Sequence, residues 1–373
     1  MTTRFLALAL LLSACQSPPA PVVTAPLVGA DRPSPPPSAS AAPAPSPPRR
    51  APPGDRVALY LAGSGPEDLR VHRIEPRGAA PTRLPFTVSA TNEGTIHVGR
   101  DFPVLSPDGS LLAFGRRGRL YLGRTDGSAP PEAITRFTQG EVRLLLGGFS
   151  PDGQTLLFHH GRRIGEDTDP PLPPGFVEGF HLLHVSARKV EPIPTLEGFD
   201  TWDSDSRHVI YDHPIAQQRS RLMRGDTRGD PPVTLQETAN PWGFGQVEGC
   251  GPEITFVLEA QMIRGNPDGS GRRPIGPKGV FAEYQSPRCS PGGAHVLYRH
   301  RPGKAPNEPT TIEVAVAGAA APVTLLRCAG NCPDAGWESD NSVLVLSQGV
   351  LHRVGLDGQK TMIASQVVDI VVP

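Results

Sequence analysis

The densest group of possible metal ligands in the sequence consists of four histidines between positions 159 and 184. Glu166, Asp167 and Asp169 lie between them, and imidazole with carboxylate is a common ligand set for transition metals. His181 and His184, however, are three residues apart in an apparent strand, which sends their side chains to opposite faces. A solvated loop is therefore favoured over a metal site, and the sequence predicts neither a metal nor a cofactor.

Motifs for nucleophilic catalysis and phosphate binding are missing from the sequence. Gly63-Ser64-Gly65 lies between two expected strands and lacks the strand-to-helix turn of a nucleophile elbow. No Gly-rich loop carries the lysine that contacts phosphates. Asn266-Pro267-Asp268-Gly269 resembles a calcium loop superficially, but a simple turn is favoured because other parts of the chain repeat a similar turn. The sequence therefore predicts no catalytic residues.

Composition excludes several classes of protein. The chain has 36 basic and 37 acidic residues and a formal net charge of -1, so nothing in its bulk charge attracts nucleic acid. The basic runs around Arg117 and Arg272 fall at short turns and form no broad basic face. With 41 Gly and 45 Pro in 373 residues, the chain has too many helix breakers for a helical protein. No nucleic-acid partner is expected.

The N-terminus predicts export and lipid anchoring. Residues 1–14 contain Arg4 and then an apolar run from Phe5 to Leu12, which is the pattern of a signal peptide. Leu12-Ser13-Ala14-Cys15 resembles the lipobox of bacterial lipoproteins, which implies that Cys15 is acylated and holds the chain at a membrane. Gln16, where inner-membrane lipoproteins typically have Asp, implies the outer membrane, and we expect the protein to face the periplasm. The alternative is an ordinary secretory signal that ends near an unmodified cysteine.

Residues 15–54 are expected to form a disordered tether. Positions 16–54 contain 14 prolines, with Ala and Ser filling most of the rest. This composition cannot offset the entropy lost on folding. A polyproline II chain rises about 3.1 Å per residue, so this tether could span up to ~100 Å. An alternative role is that of a ligand for a partner module, through Pro33–Pro37 or Pro43–Pro48.

A repeated turn is the most informative feature of residues 55–373. The two clearest copies are Ser106-Pro107-Asp108-Gly109 and Ser150-Pro151-Asp152-Gly153, each of which joins an apolar residue to a short apolar strand. Proline presets φ at the first central turn position, the Asp side chain closes the turn, and Gly adopts a positive φ. Degenerate copies begin at Trp202, Cys250, Cys289 and Trp337.

Each clear unit continues with a second strand, a Gly-containing turn such as Thr125-Asp126-Gly127-Ser128, and a short outer strand. Four short antiparallel strands that recur every 40 to 50 residues are typical of a β-propeller blade. The Ser-Pro-Asp-Gly turn and these strands resemble the TolB-type propeller repeat, which is related to WD repeats, over residues 55–373. The resemblance implies an all-β propeller but identifies function poorly. Since TolB carries an α/β domain where this sequence has a tether, TolB's partner contacts are not transferred.

The number of blades depends on how the two ends of the repeat region combine. The first unit lacks an innermost strand, whereas the last unit is followed by a surplus strand, Val367–Val372. If the surplus strand fills the inner position of the first blade, the ring closes and two exposed edges disappear. This arrangement predicts seven blades of about 46 residues each. Six blades remain an alternative, because the TolB family commonly has six and the fifth unit is weak.

Four cysteines follow Cys15, and an even number in an exported chain permits two disulfides. Cys250 and Cys289 fall at the same position of adjacent repeats, so we expect them to meet across a blade interface. Cys328 and Cys332 bracket one short loop and are expected to pair with each other. Unpaired thiols are the alternative.

These features predict a lipid-anchored, monomeric propeller of the cell envelope that binds a protein, peptide or glycan partner through its loops. Two alternatives are a hydrolase or lyase with its site in the channel mouth, and a passive component of an outer-membrane assembly. Converging Asp, Glu or His side chains with perturbed pKa values at one channel mouth would favour an enzyme. The insertion at 162–179 could be a binding loop or simple surface decoration.

The cysteine pairing can be tested on exported protein by peptide mapping under non-reducing conditions. We expect one cross-linked peptide that contains Cys250 and Cys289 and another that contains Cys328 and Cys332. A reduced sample provides the control, since it should yield all four peptides separately. Recovery of Cys250 and Cys289 as free thiols in the unreduced sample would contradict the pairing.

Overall fold

The short apolar runs that follow the repeated turns form strands in the computed structural model, and the described residues contain no helix. The structure describes residues 57–63, 68–75, 79–88, 103–116, 119–135, 143–161, 177–215, 219–239, 243–276, 278, 283–301, 303, 309–319, 321–328 and 334–373. The predicted signal peptide, Cys15 and the predicted tether lie outside these residues.

The strands of the first four blades are β1 (Ala58–Ala62), β2 (Leu69–Ile74), β3 (Thr82–Val88), β4 (Val104–Leu105), β5 (Leu111–Arg116), β6 (Arg119–Arg124), β7 (Glu132–Ala133), β8 (Arg143–Phe149), β9 (Thr155–Gly161), β10 (Gly179–His184), β11 (Lys189–Pro192), β12 (Thr201–Trp202), β13 (His208–Ile215), β14 (Arg219–Asp226) and β15 (Val233–Thr238). Those of the last three blades and the final strand are β16 (Glu248–Cys250), β17 (Glu253–Leu258), β18 (Gln261–Gly265), β19 (Arg273–Pro274), β20 (Glu283–Cys289), β21 (Val296–Arg301), β22 (Thr310–Ala315), β23 (Val323–Cys328), β24 (Ala335–Ser339), β25 (Ser342–Ser347), β26 (Val350–Gly355), β27 (Lys360–Ser365) and β28 (Val367–Val371).

These strands form seven antiparallel sheets of four strands, so the predicted seven-bladed all-β propeller is confirmed. We number the blades 1 to 7 from β1 onward. In blades 2 to 7 the four strands follow one another in sequence, and the first of them is the inner strand. Inner strands of successive blades contact one another from β4 round to β28. The inner strands therefore surround the axis of the ring.

Blade 1 is closed by the end of the chain. The final strand β28 pairs antiparallel with β1, with Leu59 opposite Val371 and Tyr60 opposite Ile370. The sheet order is β28-β1-β2-β3, which is the arrangement expected from the surplus strand. Because β28 fills the inner position, blade 1 has no open inner edge.

The Ser-Pro-Asp-Gly turns join the inner strand of a blade to its second strand. In blade 2, the Ser106 hydroxyl donates to Asp108 Oδ1 at 2.6 Å and accepts the Leu111 N–H at 2.9 Å, while Asp108 Oδ1 accepts the Ser110 N–H at 3.0 Å. Gly109 has a φ of 72°, a conformation that glycine adopts without steric cost. Blade 3 repeats the geometry, with 2.6 Å between Ser150 Oγ and Asp152 Oδ1.

All these turns lie at the same end of the ring, which we call the turn face. The turn between the third and fourth strands of a blade also lies there, because the third strand runs back toward it: Ser342, at the start of β25, pairs with Gly355, at the end of β26. The connections from the second to the third strand lie at the other end, which we call the opposite face. Val57, where the described structure begins, packs against Gly109 on the turn face.

The core fills the spaces between blades. Trp202 and Trp337 are 7% and 4% exposed, so their predicted place in the inter-blade core is confirmed. Each indole N–H donates to a carbonyl on the inner strand of the preceding blade: Trp202 to Gly148 at 3.0 Å, and Trp337 to Arg288 at 2.8 Å. These tryptophans fix neighbouring inner strands to each other through both packing and hydrogen bonds.

Cysteines connect blades 5 and 6. Cys250 at the end of β16 forms a disulfide with Cys289 at the end of β20, with Cα atoms 5.3 Å apart. Cys328 is also disulfide-bonded, and its predicted partner Cys332 lies outside the described residues. Among the described residues, no helix is long and apolar enough to cross a membrane.

The close approach of Val57 to the turn of blade 2 can be tested with Gly109→Ala. A Cβ at Gly109 would lie 2.6 Å from Val57 Cβ, in addition to the strain of the positive φ. Gly153→Ala is the matched control, because it has a φ of 71° and its nearest neighbour, Pro107 Cδ, is 3.7 Å away. We expect the control to cost about 1 kcal/mol of unfolding free energy and Gly109→Ala about 1–3 kcal/mol more, measured by urea unfolding. Equal losses in the two variants would contradict this packing.

Candidate functional site

Two aspartates at equivalent positions form the starting point of the candidate site: Asp369 lies within the inner strand β28, and Asp200 directly precedes the inner strand β12. Val371 of β28 pairs with Leu59 on the second strand of blade 1. Trp202 of β12 pairs with Val209 on the second strand of blade 4. Asp369 and Asp200 come two residues before these paired positions. Both carboxyl groups therefore lie near the axis, in blades 1 and 4.

The carboxyl group of Asp369 lies in a charged cluster at the seam where the ring closes. Asp369 is only 4% exposed. Burial raises its pKa to about 7, and the negative charge of Asp334, which lies just before the inner strand of blade 7, acts in the same direction. The positive charge of Arg288, on the inner strand of blade 6, opposes the shift. Asp369 therefore holds a proton near neutral pH.

The other members of this axial cluster also come from different blades. The Asp334 carboxylate is paired with the guanidinium of Arg299 on β21. A Cβ added to Gly336 would lie 3.1 Å from Arg288 Nη1 and 2.6 Å from a Val372 methyl carbon. Glycine at this position therefore leaves room for the Arg288 side chain beside the closing strand. Blades 6, 7 and 1 therefore place two acidic and two basic residues around the closing strand β28.

A second group of acids lies between blades 4 and 5. Asp200 Oδ2 accepts the Asp212 N–H at 2.7 Å. Burial, together with the charges of Asp212 and Glu248, raises the pKa of Asp200 to about 7 against the effect of that hydrogen bond. The Asp212 carboxylate accepts the Ser220 hydroxyl, and burial also raises the pKa of Asp212. Asp200 can therefore gain or lose a proton near neutral pH.

Three side chains of the turn in blade 4 have ligand atoms close enough to hold a metal ion: Asp203, Asp205 and His208. The space is already taken by a cationic side chain. Arg224 Nε lies 2.8 Å from Asp203 Oδ2, and its Nη2 lies 2.8 Å from Asp205 Oδ2. His208 Nδ1 adds a contact of 2.5 Å to Asp205. The group is satisfied as an ion-pair network and carries no metal proposal.

The expectation of a solvated histidine loop in blade 3 is wrong for two of the four histidines. His160 and His181 are 1% and 7% exposed, because β9 extends to Gly161 and holds His159 and His160 within the sheet. Burial lowers the pKa of His160 to about 3, so its ring is neutral. His184 lies on the other face of β10, as predicted, and its Nε2 contacts Glu191 at 3.0 Å. The nearby acidic residues 166, 167 and 169 lie outside the described residues.

A buried polar network in blade 6 was also missed by the sequence analysis. Thr311 Oγ1 donates to Glu313 Oε1 at 2.8 Å, and His300 Nδ1 lies 3.4 Å from the same oxygen. Burial opposes the charge on Glu313, but these hydrogen bonds outweigh it and the pKa of Glu313 is lowered. Tyr284 stacks on His300 with ring centroids 4.9 Å apart. The network joins three strands of one blade and is best described as structural.

The turn residues singled out in the sequence all lie on the turn face, away from the inner-strand acids. The Asn266–Ser270 segment is a turn between β18 and β19, in which Asp268 Oδ1 accepts the Ser270 N–H at 2.9 Å, so the favoured interpretation of that segment as a simple turn is confirmed. Sequence reasoning missed Asp200 and Asp369 because their strands are too short to show a pattern. The only signal was the acid directly before or within an inner strand.

Solved structures of similar fold are β-propeller proteins. An oligogalacturonate lyase in complex with manganese matches with a TM-score of 0.51 and 14% identity, covering 83% of this chain and 86% of that chain. An oligogalacturonate lyase from Vibrio parahaemolyticus matches with a TM-score of 0.50 and 11% identity, covering 83% and 85%. TolB from Acinetobacter baumannii has a TM-score of 0.45 and 11% identity, covering 84% and 81%, which is too low to support an argument.

No protein-family model matches the chain, and no curated protein matches it in sequence. At 11% and 14% identity, the structural matches report the fold alone. Together with the seven blades, the two lyase matches confirm the expected β-propeller architecture. They do not transfer an activity or a ligand to this chain.

The buried carboxyl of Asp369 predicts that the ring loses stability as the pH rises. Its pKa is raised in the folded state, so the folded protein holds this proton more tightly than the unfolded chain. The resulting stabilisation is full below pH 4 and is lost as the pH rises through about 7. Asp369→Asn removes this dependence, so the stability of the variant relative to wild type should rise between pH 5 and pH 8, by at most about 3 kcal/mol.

The measurement is urea unfolding at pH 5 and pH 8. Asp357→Asn, at an exposed turn carboxylate in blade 7, is the control and should follow wild type at both pH values. If Asp369→Asn changes stability by the same amount at both pH values, the predicted protonation is wrong.

Proposed function

We propose that this protein is an exported lipoprotein, anchored through Cys15 to the outer membrane, whose propeller binds an envelope partner with its opposite face. The observation that carries the proposal is the position of Val57 against Gly109, since the chain enters the ring on the turn face. A tether that leads from the membrane to the turn face leaves the opposite face free. The partner is a protein, peptide or glycan.

The longest insertion in the repeat region also favours the opposite face. Residues 162–178 connect β9, which ends at Gly161, to β10, which begins at Gly179. Gly179 pairs with His160, so both ends of the insertion lie on the opposite face. Long connections on a rigid scaffold are a common source of binding residues.

The ring itself suits presentation of such loops. Blade 1 is closed by β28, and adjacent inner strands are joined by the Trp202 and Trp337 hydrogen bonds and the Cys250–Cys289 bond. A rigid ring lowers the entropy that its loops would lose on binding.

A hydrolase or lyase with its site in the channel mouth is the alternative. The raised pKa values of Asp200 and Asp369 are the kind of feature that an acid–base enzyme requires. Asp369, however, is almost completely buried, and Asp334 beside it is paired with Arg299. A carboxyl that cannot touch a substrate does not act as its general acid, so the geometry favours binding over catalysis.

The proposal can be tested by site-specific photo-cross-linking in cells followed by affinity purification and mass spectrometry. A photoreactive residue at Val177, which is 49% exposed near the end of the insertion, should capture a recurrent partner. The same residue at Gln359, exposed in a turn on the turn face, is the matched control and should not. A Cys15→Ala form tests the anchor, and we expect it to lose membrane association and the partner.

Capture from Gln359 but not from Val177 would contradict the proposed binding face. An unchanged membrane fraction in the Cys15→Ala form would contradict the anchor. No partner from any position would overturn the binding role and make hydrolase and lyase assays the next step.

A further inference from the structure

Two arginines and a histidine lie side by side on one face of blade 1. On β2, Arg70 lies opposite Ala62, and His72 lies opposite Tyr60 on one side and opposite Arg83 of β3 on the other. Residues directly opposite each other in an antiparallel sheet share a face. Arg70 and His72 also share a face, because they are two residues apart on one strand. We call Arg70, His72 and Arg83 the basic cluster.

The basic cluster faces blade 7. Tyr60 and Ile74, which share its face of blade 1, pack in one apolar cluster with Leu344 and Leu351 of blade 7. Ile363 on β27, the outermost strand of blade 7, packs against the same apolar cluster. The basic cluster therefore lies in the seam between blades 7 and 1, toward the outer strands of both blades.

The basic cluster is open to solvent and its imidazole is held in place. Arg70 and Arg83 are exposed, whereas His72 is half-buried. The His72 ring stacks on the ring of Tyr60, with centroids 4.7 Å apart and 5° between the ring planes. Tyr60 is itself only 6% exposed, so it forms a fixed support for the imidazole.

Neither arginine of the basic cluster is neutralised by an acid. Within the residues that the structure describes, Arg70 and Arg83 form no ion pair and no side-chain hydrogen bond. Asp68, the acid nearest to Arg70 in sequence, pairs instead with Arg116 of blade 2 at 3.1 Å. The basic cluster therefore keeps two positive charges without a counter-charge from its own blade.

The arginine that faces the seam from blade 7 is already neutralised. Arg353 lies opposite Leu344, so it is turned toward blade 1, and it forms an ion pair with Glu338 of its own blade. Burial and the positive charges of the two arginines of the basic cluster lower the pKa of His72. Its imidazole is therefore neutral near neutral pH and can donate one hydrogen bond.

We propose that the basic cluster binds the phosphate group of a small phosphomonoester, with Arg70 and Arg83 on the phosphate oxygens and the His72 imidazole as a third donor. Guanidinium groups match phosphate oxygens in geometry, and two of them balance the charge of a dianion. A carboxylate is a poorer occupant, because it brings one charge and two oxygens to three donors. This site lies in the seam between two blades and does not depend on the proposed partner face.

The test uses the full chain in detergent and measures binding by calorimetry in a buffer free of phosphate and sulfate. Phenyl phosphate should bind, and its methyl ester should bind at least about tenfold more weakly because it has one charge fewer. Arg70→Gln and Arg83→Gln should each reduce the affinity for phenyl phosphate by about tenfold. Arg327→Gln, at an exposed arginine on the outermost strand of blade 6, is the matched control and should leave the affinity unchanged.

Histidine NMR provides a second readout that does not depend on the variants. Saturating phenyl phosphate should raise the pKa of His72 by about 1, because a bound dianion favours the charged imidazole. His352, which lies opposite Val345 on the face of blade 7 turned toward blade 6, is the internal control and should keep its pKa. Equal affinity for the two esters, equal effects of Arg83→Gln and Arg327→Gln, or an unchanged pKa of His72 would overturn the proposal.

Discussion

The rest of the structure depends on the pairing of the last strand with the first blade. Without β28, blade 1 would expose the inner edge of β1, and the last blade would lose its neighbour. The closing strand also supplies core to both adjacent interfaces: Val371 packs with Leu59 and Leu112 toward blade 2, and Ile370 packs with Leu344 toward blade 7. Asp369, directly before these two residues in β28, is buried by the same closure. Closure by β28 therefore accounts for the apolar contacts in two blade interfaces, for the completion of the ring, and for the burial that raises the pKa of Asp369.

Repetition of one turn gives the ring two chemically different ends. On the turn face, serine, aspartate and glycine satisfy one another locally, as Ser106 and Asp108 do, and leave few groups to interact with a partner. On the opposite face, each connection can differ in length without disturbing the sheets. The rim is a third kind of surface, where Gly123 and Gly127 let blades 1 and 2 approach closely.

The sequence predicted the fold well because the information was local. Pro107, Asp108 and Gly109 specify their turn without reference to the rest of the chain, and counting such turns gave the blades and the surplus strand. The acids at the inner strands were not predictable in this way, since β12 has only two residues and the environment of Asp369 is set by residues 35 and 81 positions earlier, Asp334 and Arg288. The buried histidines were misjudged because the length of β9 beyond Phe158 has no local marker. The close approach of β3 to blade 2 was not predictable either, because nothing in the local sequence marks Gly123 and Gly127 as the glycines that face β3.

Closure by the C-terminal strand also affects the order in which the ring can form during synthesis. The chain is made from its N-terminus, so the three strands β1 to β3 emerge first and their fourth strand emerges last. Until residues 367–371 are made, the growing chain presents an unpaired strand edge that proteases and other strands can reach. A transcript cut short by even its last few codons would therefore yield an open ring.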